Sequence, residues 1–238
     1  MIGVFSKRGW VVLFGLPLAG CSEAEPSPEP GADGVPMAAG DAVVFASLME
    51  RLIKDRYTSG HVGDVLMWMG WLEENVSLDD YPGLAAIGAL VHIQEGNVSE
   101  TERWLDAASR RKGDSDTTAV ISLVRAAATR QGVEQMVQDI EHAAEVAAPG
   151  SRWLPAILAV KGLAYLMNGD TGIAEAALME STKLGLESQS RASVVLALGQ
   201  RALIAIGRQD WDLAGSLSQQ ALAIIDEFGL DGYHVSGL

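Results

Sequence analysis

Gly162-Leu163-Ala164-Tyr165-Leu166-Met167-Asn168-Gly169-Asp170-Thr171-Gly172-Ile173-Ala174-Glu175-Ala176-Ala177-Leu178 decides the fold. One apolar pattern at helical spacing runs into Gly169, and a second starts directly after Asp170. Glycine there is what a tight helix–helix turn needs, and aspartate before a helix is an N-cap residue. The stretch reads as the joint of a helical hairpin. It is repeated: glycines recur at Gly60, Gly96, Gly132, Gly169 and Gly207, with spacings of 36, 36, 37 and 38 residues. A period of this size marks stacked units, each of which buries its apolar face only against its neighbours.

Outward from that joint, the helix after each glycine carries an apolar stripe. The stripes are Val62, Val65, Leu66, Met69 and Leu72; Val98, Thr101, Trp104, Leu105 and Ala108; and Met136, Val137, Ile140 and Ala144. Ile173, Ala174, Ala177 and Leu178 make the fourth, and Trp211, Ala214, Leu217, Ala221 and Ile225 the fifth. Asp170 and Asp210 sit at N-cap positions, and Ser99 with Glu102 has the spacing of a capping box. The helices before the glycines are expected over Asp41–Arg56, Pro82–Gln94, Thr117–Arg130, Pro155–Met167 and Arg191–Ile206. Pro82 suits a first helical turn, and only Pro82, Pro149 and Pro155 occur after Pro36. The expected fold class is all-α, a right-handed α-solenoid of about five hairpins.

Gly162-Leu163-Ala164-Tyr165 with Gly169-Asp170 and Ala174 resembles the tetratricopeptide (TPR) consensus. Asp210-Trp211, Ala214 and Ala221-Leu222 resemble its second half. The third unit departs, with Arg125 where a small residue is expected, and the units exceed the TPR period of about 34 residues. TPR-like is therefore the description. From Met37 onward the chain is also similar to the sensor repeats of MalT-type LuxR-family transcriptional regulators. The residues that carry this are Ala38-Ala39-Gly40-Asp41, Tyr57 to Val62, Trp68 to Leu72, Glu102-Arg103-Trp104-Leu105-Asp106-Ala107-Ala108, Pro149-Gly150-Ser151, Arg201-Ala202-Leu203 and Gln220-Ala221-Leu222-Ala223. The resemblance implies recognition of a small-molecule inducer or partner protein. In that family an ATP-binding module precedes the repeats and a helix-turn-helix domain follows them. Here no G-x-x-x-x-G-K-[ST] phosphate loop occurs, and the resemblance is to the sensor part alone.

The first residues point elsewhere. Lys7 and Arg8 precede an apolar stretch, Gly9 to Leu16, too short to span a bilayer. Leu18-Ala19-Gly20-Cys21 follows. A basic start, an apolar run and small residues before the cut make a signal peptide, and the ending resembles the lipobox of bacterial lipoproteins. That resemblance implies lipidation of Cys21 and, through Ser22, outer-membrane sorting. Pro26, Pro28, Pro30 and Pro36 then mark a linker whose ends would lie about 25 Å apart as a flexible coil. The expected organisation is a signal peptide over 1–21, a linker over 22–40 and a repeat domain over 41–238. Membrane attachment would run through Cys21, placing the chain in the cell envelope if the signal is used and in the cytoplasm otherwise. The alternative function is then a lipid-anchored adaptor that binds partner peptides or helices.

The net charge of −14 repels phosphate backbones, which argues against direct nucleic-acid binding. One cysteine allows no disulfide and no cysteine-based metal site. His61, His92, His142 and His234 each stand alone, without metal-ligand spacing, and His92 is read as a structural or surface residue at a helix end. No G-x-S-x-G elbow occurs. No catalytic residue, metal ligand or cofactor is therefore assigned, and the ligand-binding residues stay unknown. Glu73-Glu74 and Asp79-Asp80 are read as solvated caps, and Arg110-Arg111-Lys112 as a solvated helix end. Trp68 and Trp71 pack between helices or wall a ligand site. Arg103 and Tyr165 are candidates to face a concave groove. Along Trp211 to Phe228, Leu213, Leu217, Leu222 and Ile224 leave apolar surface beside the inward stripe. The expectation is an uncapped stack end and a reading frame truncated relative to its relatives.

Overall fold

The computed structural model describes residues 39–58 and 62–228. The expected signal peptide with Cys21, the expected linker up to residue 38, residues 59–61 with Gly60 and His61, and residues 229–238 lie outside them, while Ala39 and Gly40, expected in the linker, belong to the first helix. Ten α-helices follow in chain order among the described residues. They are α1 (Ala39–Thr58), α2 (Val62–Asn75), α3 (Pro82–Gln94), α4 (Val98–Arg110), α5 (Ser115–Ala128), α6 (Val133–Val146), α7 (Leu154–Asn168), α8 (Thr171–Glu187), α9 (Arg191–Gly207) and α10 (Trp211–Phe228). A 3-10 turn, Leu78–Asp80, precedes α3, and no strand occurs among the described residues. None of the described helices is long and apolar enough to cross a membrane.

Each even-numbered helix packs on the odd one before it, and α1, α3, α5, α7 and α9 pack on one another in series. This neighbour-to-neighbour pattern is a repeat-like architecture. A contact between elements far apart in the chain departs from it. Tyr57 at the end of α1 meets Trp153 just before α7, with ring centroids 5.5 Å apart. Both are buried in one apolar core that runs from α1 to α7. A smaller core joins α9 to α10 through Val194, Leu198, Leu217 and Ile225. Ala174, Leu178, Ala197 and Ile204 link α8 to α9.

Small residues set how closely paired helices approach. A Cβ at Gly88 on α3 would fall 2.0 Å from the Trp104 ring of α4, and one at Gly162 on α7 would fall 2.4 Å from Leu178 of α8. Trp104 is fully buried against that bare backbone, and burying such a ring stabilises by about 3 kcal/mol.

The inner parts of the stripes are buried as expected: Val65, Met69 and Leu72; Thr101, Trp104 and Ala108; Met136 and Ile140; Ala174, Ala177 and Leu178; Ala214, Leu217, Ala221 and Ile225. Three of the stripes open on residues that are not buried. Val98, Ile173 and Trp211 are exposed, Trp211 by 66%. They lie in first helical turns, where side chains tilt back toward the N-terminus and out over the connecting turn. Leu66 is exposed too. On α10, Leu213 and Leu222 are exposed, but Leu217 turns inward and Ile224 packs against the small core, so the uncovered face is narrower than expected.

Several helix ends also differ. Asn97, not Ser99, caps α4: its Oδ1 accepts from the Glu100 backbone N–H at 3.3 Å and from Ser99 Oγ at 3.1 Å. Glu102 leaves the capping box to pair with Arg130. Helix α5 starts at Ser115 because Asp114 caps it, accepting from the Thr117 N–H at 2.7 Å and the Thr117 hydroxyl at 2.6 Å. It stops at Ala128, short of Arg130, because Thr129 turns left-handed at φ 46°. Asp170 holds the cap position of α8, but its side chain accepts from Asn168 and makes no cap bond. Asp210 does cap α10, through the Leu213 N–H at 3.1 Å. Gly96, Gly132 and Gly169 have positive φ as their turns require, whereas after Gly207 the left-handed residue is Gln209 at φ 61°.

Candidate functional site

Between α4 and α6 a cleft of about 640 Å³ opens, because these two helices pack chiefly on the odd-numbered ones. Val98, Leu105 and Met136 give it an apolar wall, and Arg125, Asp106 and Asp139 give it charges of both signs. Arg125 is the residue that breaks the small-residue pattern of the third unit. Its side chain is exposed and lines this cleft. The Arg130–Glu102 ion pair also lies in the lining.

The acidic and basic runs read as solvated ends face each other instead. Arg110 Nη1 donates to both carboxylate oxygens of Asp79 at 2.9 Å, and Arg111 pairs with Asp80 at 2.6 Å. The hydrogen bond to Asp79 raises the already high Arg110 pKa. These exposed pairs tie the end of α4 to the turn before α3. As exposed, solvent-screened contacts they add little to stability.

Arg103 is held from within the chain. Its guanidinium bridges two carboxylates, Glu73 at the end of α2 and Glu100 in the first turn of α4. Trp104 Nε1 donates to the same Glu73 oxygen at 3.0 Å. The hydrogen bond from Arg103 holds the Glu100 carboxyl below its usual range, and the same bond raises Arg103. His92, on the last turn of α3, lies beside this bridge with its ring 5.6 Å from Trp104. Its Nδ1 is 3.8 Å from Glu95. Neither ring nitrogen has a hydrogen-bond partner, and both are shielded from solvent. Glu73, His92 and Glu100 each present a ligand atom within 4.8 Å of the others. Sequence reading assigned no metal ligand here. These residues sit on three helices, and no local spacing announces them.

Tyr165 is likewise engaged. Its hydroxyl donates to Glu141 Oε1 at 2.6 Å, and Lys161 Nζ donates to Oε2 at 2.9 Å. Burial pushes the Glu141 carboxyl up, but the hydrogen bonds from Tyr165 and Lys161 outweigh it and hold the group below its usual value. The bond to Glu141 pushes the Tyr165 phenol up to about 12. Trp68 and Trp71 are half-buried against the main core, with Trp71 edge-on to Phe45 at 4.7 Å, so they serve interhelix packing.

Compared with models of protein families, with curated proteins and with solved structures, the chain matches none.

Proposed function

We propose that residues 41–238 form a right-handed α-solenoid of five TPR-like hairpins that works by recognition and not by catalysis. The function is that of a sensor-type repeat domain, akin to those of MalT-type LuxR-family regulators, which takes a small-molecule inducer or a partner protein. The observation that carries this reading is the cleft between α4 and α6. At about 640 Å³ it has the size of a small-ligand site. It joins an apolar wall to a largely polar lining, in which the exposed Arg125 cation and the carboxylates of Asp106 and Asp139 would orient a ligand. The order of motifs along the chain supports the kinship with the regulators.

Site-specific photocrosslinking tests the proposal. A photoreactive residue replaces Val98, at the cleft, or Met179, an exposed control on α8. In cells that make the full chain, Val98 gives a discrete adduct and Met179 does not. Adducts of the same kind at both positions would sink the cleft as a recognition site.

A second reading, a lipid-anchored envelope adaptor, is carried by Leu18-Ala19-Gly20-Cys21. Labelling with an acyl probe distinguishes it. In the adaptor, wild type takes the label and sediments with membranes, whereas Cys21→Ser does neither. An unlabelled, unsedimented wild type removes this reading and leaves the first.

A further inference from the structure

We propose that Glu73, His92 and Glu100 form a site for a divalent transition-metal ion of the zinc class, which exchanges with the Arg103 guanidinium. The inference stands apart from the recognition reading. Its ligands converge from α2, α3 and α4, with one donor atom of each residue within 4.8 Å of the others. Zinc–ligand bonds of about 2.0–2.2 Å place tetrahedral donors roughly 3.4 Å apart. Two glutamate side chains, each with several rotatable bonds, supply that closure.

The imidazole gives the second, independent observation. Both His92 ring nitrogens are shielded from solvent and lack a hydrogen-bond partner. A buried polar atom of this kind calls for a partner such as an ion or water. A metal ion at the Glu73–Glu100 bridge supplies one. Imidazole with carboxylates suits zinc and its neighbours, whereas calcium and magnesium prefer oxygen alone. The Trp104 N–H, 3.0 Å from Glu73 Oε1, fixes the orientation of that carboxylate, as hydrogen bonds to metal ligands commonly do.

Charge points the same way. Glu73 and Glu100 flank a single guanidinium, and Glu95 lies 3.8 Å from His92 Nδ1, so three carboxylates gather around one resident Arg cation. Arg103 is the resident cation. Its side chain is 48% exposed, so it can swing into solvent without moving α4. A bound ion would then tie the end of α2 to the α3–α4 pair. Three protein ligands leave one position for water.

Titration of the full chain with zinc chloride, followed by calorimetry and by total tryptophan fluorescence, tests this. Wild type binds one equivalent with a dissociation constant on the order of micromolar. His92→Gln and Glu100→Gln each weaken binding by roughly tenfold or more, as expected for loss of a ligand. Arg103→Gln does the opposite and tightens it, because the competing cation is gone. Calcium at millimolar concentration leaves the zinc isotherm unchanged. Should His92→Gln fold poorly by circular dichroism, Glu100→Gln carries the test, since Glu100 stands at the helix surface. Three results would overturn the proposal: no stoichiometric binding by wild type below millimolar zinc, unaltered binding in the folded ligand variants, or binding that appears only in Arg103→Gln.

Discussion

Gly88 and Gly199 are both helical glycines, and their surroundings give them opposite roles. A methyl at Gly88 would enter the Trp104 ring, whereas one at Gly199 meets nothing within 4 Å. Gly88→Ala should lower the unfolding free energy by about 1–3 kcal/mol through overpacking, despite alanine's better helix propensity. Gly199→Ala should raise it by up to about 1 kcal/mol. Urea unfolding of both variants checks the pair, and a stabilised Gly88→Ala would mean that Trp104 does not lie on that backbone. The Tyr165–Glu141–Lys161 contact predicts a pH profile. Because the Glu141 pKa is depressed, its contribution is complete above the unfolded value of about 4.3 and is lost as pH falls through the folded one. The Tyr165 pKa is raised to about 12, so its contribution is complete below the unfolded value of about 10 and is lost as pH rises through the folded one. Absorbance at 295 nm should show a tyrosine phase that ionises near pH 12. Tyr165→Phe should abolish that late phase and cost about 1 kcal/mol at neutral pH.

At the scale of the element, the legible part of the sequence was periodicity. Apolar spacing located every described helix, because one buried face at 3.6 residues per turn leaves an unambiguous trace. Helix ends were less legible because the local rule was satisfied more than once. Asn97 and Ser99 are both good caps, and only the backbone shows that Asn97 holds the Glu100 N–H while Ser99 is already in the helix. Asp114 caps α5 so that it starts at Ser115, before the Thr117 start that apolar spacing alone suggests. Asp170 sits where a cap should be, yet its carboxylate is turned to Asn168. Asp114→Ala should therefore destabilise by about 1–2 kcal/mol, and Asp170→Ala by no more than about 0.5 kcal/mol. Thermal melts of the two variants measure the difference, and equal losses would contradict the cap assignment. The Arg103 bridge was not legible at all. Glu73, His92 and Glu100 acquire meaning only when α2, α3 and α4 are packed, and the pairing of Arg110 with Asp79 also crosses from one element to another.

At the scale of the molecule, the question is whether the helices behave as a chain of neighbours or as one body. In a stack held only by adjacent contacts, stability is close to a sum of local terms, and a lesion spreads only next door. The C-terminal end fits that description. Helix α10 packs on α9 over a small core, with Leu213 and Leu222 exposed. Its amides should exchange with solvent roughly 100-fold faster than those of α3 and α5, which lie inside the core running from α1 to α7. The N-terminal part does not fit, because Tyr57 on α1 rests against Trp153 before α7, far along the chain. Both rings are buried, so their contact couples the two ends of that core. Tyr57→Ala removes one ring and should cost about 3–5 kcal/mol. Hydrogen exchange with peptide resolution then reads where the loss is felt. Coupling predicts faster exchange in α1 and α2 and, separately, across residues 151–157. If protection falls only in α1 to α3 while residues 151–157 keep theirs, the helices are a chain of neighbours throughout and the aromatic contact carries no coupling.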